Sequence, residues 1–172
     1  MTMTSNGGTA TLTGERADLL AGLRKARHFL RYTVRDLTDE QAARRTTVSE
    51  LCLAGLIKHV TEVERRWTAF IVDGPAVMEE DGDWASYFRM EEGETLAGLL
   101  DAHAEIARRT DELLAALPDL DASQPLPEKP WFEPGARWSA RQVLLHVIAE
   151  TAQHAGHADI IREALDGAKT MG

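Results

Sequence analysis

Four stretches of this chain repeat apolar residues at three- and four-residue intervals, and clear helix breakers separate them. The first runs from Gly14 to Asp36, with Leu19, Leu20, Leu23, Ala26, Leu30 and Val34 on one face. Thr38 then opens a short turn, with Gln41 three residues on as its capping-box partner. The second runs from Ser49 to Val72, and Asp73-Gly74-Pro75 closes it. The third covers Thr95 to Leu117, with Leu96, Leu99, Leu100, His103, Ile106, Thr110, Leu113, Leu114 and Leu117 on its inner face. The fourth is the longest, Trp138 to Gly167. Ser139 is its N-cap and Gln142 completes a capping box; Trp138 and Val143 are placed to form a hydrophobic staple, and Gly167 is its stop. An amphipathic helix must bury its apolar stripe against another element. Four such helices in one small chain predict an all-α fold, a four-helix bundle with two longer loops.

The loops have different characters. Residues 74–94 are acidic and contain Gly, with Trp84, Tyr87 and Phe88 in the middle. They read as a surface loop holding a short helix whose aromatics cover something beneath. Residues 118–138 hold five of the six prolines, which excludes a long helix there, and they carry Trp131 and Phe132. No repeat, low-complexity tract or strand alternation is evident. The expected organisation is one domain over residues 13–168 behind a flexible tail, 1–12, that lacks the basic and apolar regions of a signal peptide.

Charge narrows the partners. A net charge of −9 and a pI near 5.1 argue against nucleic acid and anionic membrane, both of which need basic surface. No apolar run approaches the roughly 18 residues of a membrane span. The single cysteine, Cys52, leaves no internal disulfide and fits a reducing cytoplasm.

The fourth helix carries the chemistry. With His146 set at zero, His157 falls at about 20°, Glu150 at about 40° and His154 at about 80°. These residues border the apolar stripe rather than the wet face. Glu150 and His154 are four apart, a spacing that lets two side chains grip one ion. On the second helix His59 projects from the core face among Cys52, Leu56, Val60, Val63 and Trp67. Bundles build sites from inward side chains on facing helices. His59, Glu150 and His154 supply two imidazoles and a carboxylate, a set that suits zinc, nickel or ferrous iron and leaves positions open for water or substrate. The same cluster also fits a hydrogen-bonded network or a solvated rim. His157 adjoins it as a supporting residue or a proton acceptor. His103 has no partner at useful spacing on its own helix and reads as structural or rim, His28 lies at the polar edge of the first helix, and Cys52 reads as a small buried hydrophobe.

Three segments, GLIKHVTEVERRW (55–67), GETLAGLLDAHAE (93–105) and RWSARQVLLHVIAETAQHAGHADIIREALDG (137–167), together resemble the DinB superfamily. The similarity is greatest to an actinobacterial branch related to mycothiol S-transferases. That resemblance implies an up-down-down-up bundle holding a divalent metal, with one His from the second helix and two residues four apart on the fourth as ligands: His59, Glu150 and His154. Many DinB members have His where this chain has Glu150. The mycothiol-dependent isomerase pattern has Glu there, which favours the thiol-transferase side. The implied activity is metal-dependent transfer of a low-molecular-weight thiol, mycothiol, to a small electrophile, with zinc as the expected ion. The alternatives are a non-catalytic metal-binding protein and a metal-dependent hydrolase. A homodimer through Leu145, Ile148 and Ile160 is a further expectation.

Overall fold

The computed structural model describes residues 12–79 and 84–171. All but the last residue of the tail expected at 1–12 lies outside them. Four long helices form where the apolar periodicity placed them: α1 (Glu15–Thr33), α3 (Leu53–Asp73), α4 (Leu96–Ala116) and α5 (Ala140–Asp166), with a short α2 (Asp39–Ala43) after α1. Local chemistry sets their ends. The Thr95 hydroxyl accepts the Gly98 N–H at 3.1 Å, and Thr38 and Gln41 form the full capping box that starts α2. Gly74 at φ 78° and Gly167 at φ 80° take backbone angles open to glycine and terminate α3 and α5.

Two expectations are corrected at these ends. The second helix starts at Leu53, not Ser49, because Cys52 is its N-cap, its sulfur accepting the Gly55 N–H at 3.4 Å. At α5 only half of the capping box forms: Ser139 accepts the Gln142 N–H, while its own backbone lies in a two-stranded ribbon opposite Ser123. That ribbon, β1 (Ser123–Pro125) with β2 (Arg137–Ser139), corrects the reading that the chain has no strand. It ties down the proline-rich connection.

The direction of each helix follows from its contacts. Arg141 meets Glu15 at the start of α1, and Arg162 reaches the carbonyls of Thr33 and Arg35 at its end, so α1 and α5 are parallel. Arg16 donates to the carbonyls of Leu114 and Leu117 and Arg31 to that of Leu100, so α4 is antiparallel to α1. His59 meets His154 and Trp67 meets His146, so α3 runs against α5. The order is up-down-down-up, as the family resemblance implied. Because α3 and α4 run the same way, the chain must return the length of a helix, through residues 74–95 and two 3-10 turns at Pro75–Met78 and Trp84–Phe88.

The core has two parts. Leu30, Leu53, Leu56, Ile57, Ala158 and Ile161 fill one end; Leu19, Leu23, Phe70, Leu114, Val143 and Val147 fill the other. Each of these side chains larger than alanine contributes about 1.5–3 kcal/mol by leaving water. His59 on α3, and Glu150 and His154 on α5, come at the level where the two parts meet. On the outer side of α5, Leu145 and Ile160 are exposed, but Ile148 is half-buried against Gly22 of α1, so that patch is smaller than its sequence suggested. No described helix is long and apolar enough to cross a membrane.

Candidate metal centre

One His/Glu cluster draws on two facing helices. His59, Glu150 and His154 each offer one ligand atom, and these atoms lie within 4.8 Å of one another. The His59 and His154 rings meet edge to face with centroids 4.7 Å apart. His154 Nε2 stands 3.7 Å from Glu150 Oε2. On the other side of the same ring, His154 Nδ1 lies 3.3 Å from His157 Nδ1. His154 therefore turns one nitrogen toward Glu150 and the other toward His157.

The surroundings test whether the residues suit an ion. His59 is 8% exposed, and its Nδ1 is buried without a hydrogen-bond partner among the described residues. A buried, unsatisfied imidazole nitrogen costs free energy that a bound partner would recover. Burial, then the neighbouring His154, pushes the His59 pKa down to about 4, which keeps the ring neutral, the form that ligates metals. The polar contact with His154 holds the Glu150 carboxyl below its ordinary range although burial opposes this, so Glu150 is ionised. Two imidazoles and a carboxylate are a donor set suited to a divalent ion.

A lid residue supports His59 from the loop. Phe88 stacks on its ring, centroids 4.1 Å apart and planes 23° from parallel. Gly55, one turn before His59, makes this approach possible: a Cβ there would lie 2.0 Å from the Phe88 carbonyl oxygen. The expectation that the aromatics of the acidic loop cover something is met by Phe88; the Trp84 side chain lies outside what is described. At the edge of that loop Lys58 pairs with Glu94 at 2.7 Å.

The other histidines separate. His146 shares the arc of Glu150 and His154 but meets Trp67 and Trp138, at 4.8 Å and 5.1 Å between centroids, rather than His59. His28 is exposed. His103 is buried and not at a rim: it is 1% exposed beside a cleft of about 1150 Å³ between α1 and α4, which shares no residue with the His59 cluster. Its Nδ1 lies 3.4 Å from Arg31 Nη1, and its Nε2 has no partner among the described residues. Burial, then the charges of Arg31 and Arg27, push its pKa down to about 3.

A pH dependence follows. Below its ordinary value of about 6.5 the unfolded chain takes up a proton on His103 that the folded chain refuses. Stability should therefore fall as pH drops from about 6.5 toward about 3, by up to ~1.4 kcal/mol per unit, and His103 should contribute no slope above that window. Urea unfolding of the protein and of His103→Gln across this range checks it. The variant should show a shallower slope on the acid side, and equal slopes would contradict the assignment.

Sequence reasoning missed two features beside the cluster. A pocket of about 400 Å³ opens on the Glu150 side, between α3, α5 and the proline-rich connection. Trp131 and Phe132 of that connection line it. Behind the helices, Glu64 of α3 is fully buried and pairs with Arg27 of α1 at 2.5 Å. Its signal was present: Glu64 falls about 140° around α3 from His59, within reach of the core, and Arg27 sits between Leu23 and Leu30 on the apolar stripe of α1.

Known proteins resemble this chain in family and in fold. A family model described as mycothiol-S-transferase matches residues 18–167. No curated protein matches the chain. Among solved structures, the crystal structure of a conserved protein from Enterococcus faecalis is similar at 15% identity with a TM-score of 0.63, covering 91% of this chain and 100% of that one. At that identity the likeness concerns the fold.

Proposed function

This chain belongs to the mycothiol-S-transferase family, a DinB-like family, and from that footing we propose that it is a divalent-metal-dependent S-transferase joining a low-molecular-weight thiol, mycothiol, to a small electrophile. The observation that carries the proposal is the convergence of His59, Glu150 and His154 within 4.8 Å, with His59 Nδ1 buried and unpartnered. These three residues would hold the ion, zinc being the expected one and nickel or iron the other candidates. A bound divalent ion supplies the charge that keeps a thiol sulfur in its nucleophilic thiolate form near neutral pH.

The protein's own groups do the rest. Glu150 provides the negative charge that balances a cation at the edge of the core. Phe88 excludes water from the His59 face. His157 is a positioning residue: its contact with His154 Nδ1 fixes which way that ring turns, the usual office of a group behind a metal-binding histidine. In transfer the sulfur lone pair forms the S–C bond, the leaving group departs with its bonding pair, and the proton lost by the thiol neutralises it. The reducing cytoplasm is the compartment that suits such thiol chemistry.

The test is a thiol-conjugation assay with mycothiol and a chromogenic aryl halide, run on protein as purified, stripped with a chelator, and reloaded with zinc. Activity should be lost on stripping and regained on reloading. Protein that binds zinc but transfers no thiol would instead favour metal binding without chemistry.

A further inference from the structure

The pocket beside Glu150 has a composition of its own. Trp67, Trp131, Phe132 and the His146 ring present aromatic faces and edges to it, and Val63 and Met78 add apolar surface. Trp67 is held in place by stacking on Trp138, centroids 4.7 Å apart. Phe132 meets both Trp67 and Trp138 edge on. Trp131 is 71% exposed, a large apolar side chain kept in water at the border of an apolar cavity. A small polar thiol would gain little from such walls, whereas a flat conjugated molecule would gain both area and ring contacts.

Two cations also line the pocket, and they differ. Arg66 is engaged by Glu62 at 2.6 Å. Lys129 is half-buried and has no ion pair among the described residues. Lys129 belongs to the connection and Glu150 to α5, so they approach the cavity from different elements. An anionic ligand would be drawn to Lys129, which sets its charge toward the loop and leaves its flat body along the aromatic wall.

We propose that this pocket seats the electrophile and selects flat aromatic or conjugated molecules bearing one carboxylate, with Lys129 reading the charge and Trp67, Trp131 and Phe132 reading the plane. The assignment of the occupant as electrophile rests on the transferase reading; the ligand class rests on the pocket alone. The experiment is calorimetric titration of the full chain, without thiol, using 2-naphthoate, the neutral 2-naphthylmethanol and the non-planar cyclohexanecarboxylate. 2-Naphthoate should bind roughly tenfold tighter than either of the others. Lys129→Gln should bring naphthoate and naphthylmethanol to within about twofold of each other. Trp131→Ala, at an exposed position, should weaken both naphthyl ligands by roughly fivefold while keeping the preference for the acid. Cyclohexanecarboxylate binding as well as naphthoate, an acid preference that survives Lys129→Gln, or no naphthoate binding at all would overturn the proposal. Conjugation assays on the same preparations separate the two readings. Naphthoate binding as described without any thiol transfer upholds the pocket and removes the transferase, and transfer without naphthoate binding does the reverse.

Discussion

Arg27→Met is expected to destabilise the protein by about 3–5 kcal/mol, the usual cost of leaving a buried charge without its partner. Arg27 is 5% exposed and joins three helices. From α1 it donates to both carboxylate oxygens of Glu64 on α3 and to Asp111 on α4, the last at 2.8 Å. Burial opposes its charge, and Glu64 and Asp111 more than offset this, so the guanidinium pKa is held above its ordinary value. With Met in its place the fully buried Glu64 loses its counter-charge. Asp111 suffers less, because Arg24 still reaches it at 3.1 Å from the solvent side. The double variant Arg27→Met/Glu64→Leu should recover most of the loss, since replacing both partners of a buried pair by apolar groups is often neutral or better. Urea unfolding of the protein and the two variants measures this. A loss below about 1 kcal/mol in the single variant would mean that water reaches Glu64 and the pair acts like a surface bridge.

This network matters to the site because Glu64 lies on the same helix as His59. Arg27 and Asp111 hold α3 from behind while α5 approaches from the front, so the imidazole of His59 faces its partners on a fixed backbone.

The helices were legible because period and breakers agree along this sequence and caps agree at most ends, the start of α3 at Cys52 being the exception. Ser139, Thr95, Thr38 and Gly167 take the terminal roles their types predict. The ribbon was not legible, because strands of three residues are too short to show alternation, and their pairing spans a loop. Within the site, the faces of α3 and α5 were readable from angle, but angle alone does not separate His146 from His154. Height along the bundle does. Moving eight residues back along α5, from His154 to His146, moves eight forward along the antiparallel α3, from His59 to Trp67. His154 therefore finds an imidazole and His146 finds an indole. That register is a property of two helices packed together, and it appears in the sequence of neither. The position of Phe88 over His59 depends on loop conformation and on the space left at Gly55, and periodicity carries no information about either.

The second large effect concerns the cluster itself. Glu150→Gln keeps the shape of the side chain and removes the charge that balances a divalent ion. Metal affinity should fall by at least about tenfold, ~1.4 kcal/mol. His154→Ala removes a nitrogen donor and should cost at least as much. His157→Ala leaves all three donors in place and frees only the far nitrogen of His154, so its loss should lie at or below the roughly 10–100-fold range typical of groups that support a ligand from behind. His103→Ala, in the separate cleft between α1 and α4, should leave affinity unchanged.

Competitive zinc titration against a chromophoric chelator decides the matter, performed on the untagged protein and on Glu150→Gln, His154→Ala, His157→Ala, His146→Ala and His103→Ala. The predicted result is close to one zinc per chain, with affinity lost steeply in Glu150→Gln and His154→Ala, mildly in His157→Ala, and hardly at all in the other two. Unchanged affinity in Glu150→Gln together with a large loss in His146→Ala or His157→Ala would place the ion on other residues of α5 and contradict the assignment of His59, Glu150 and His154.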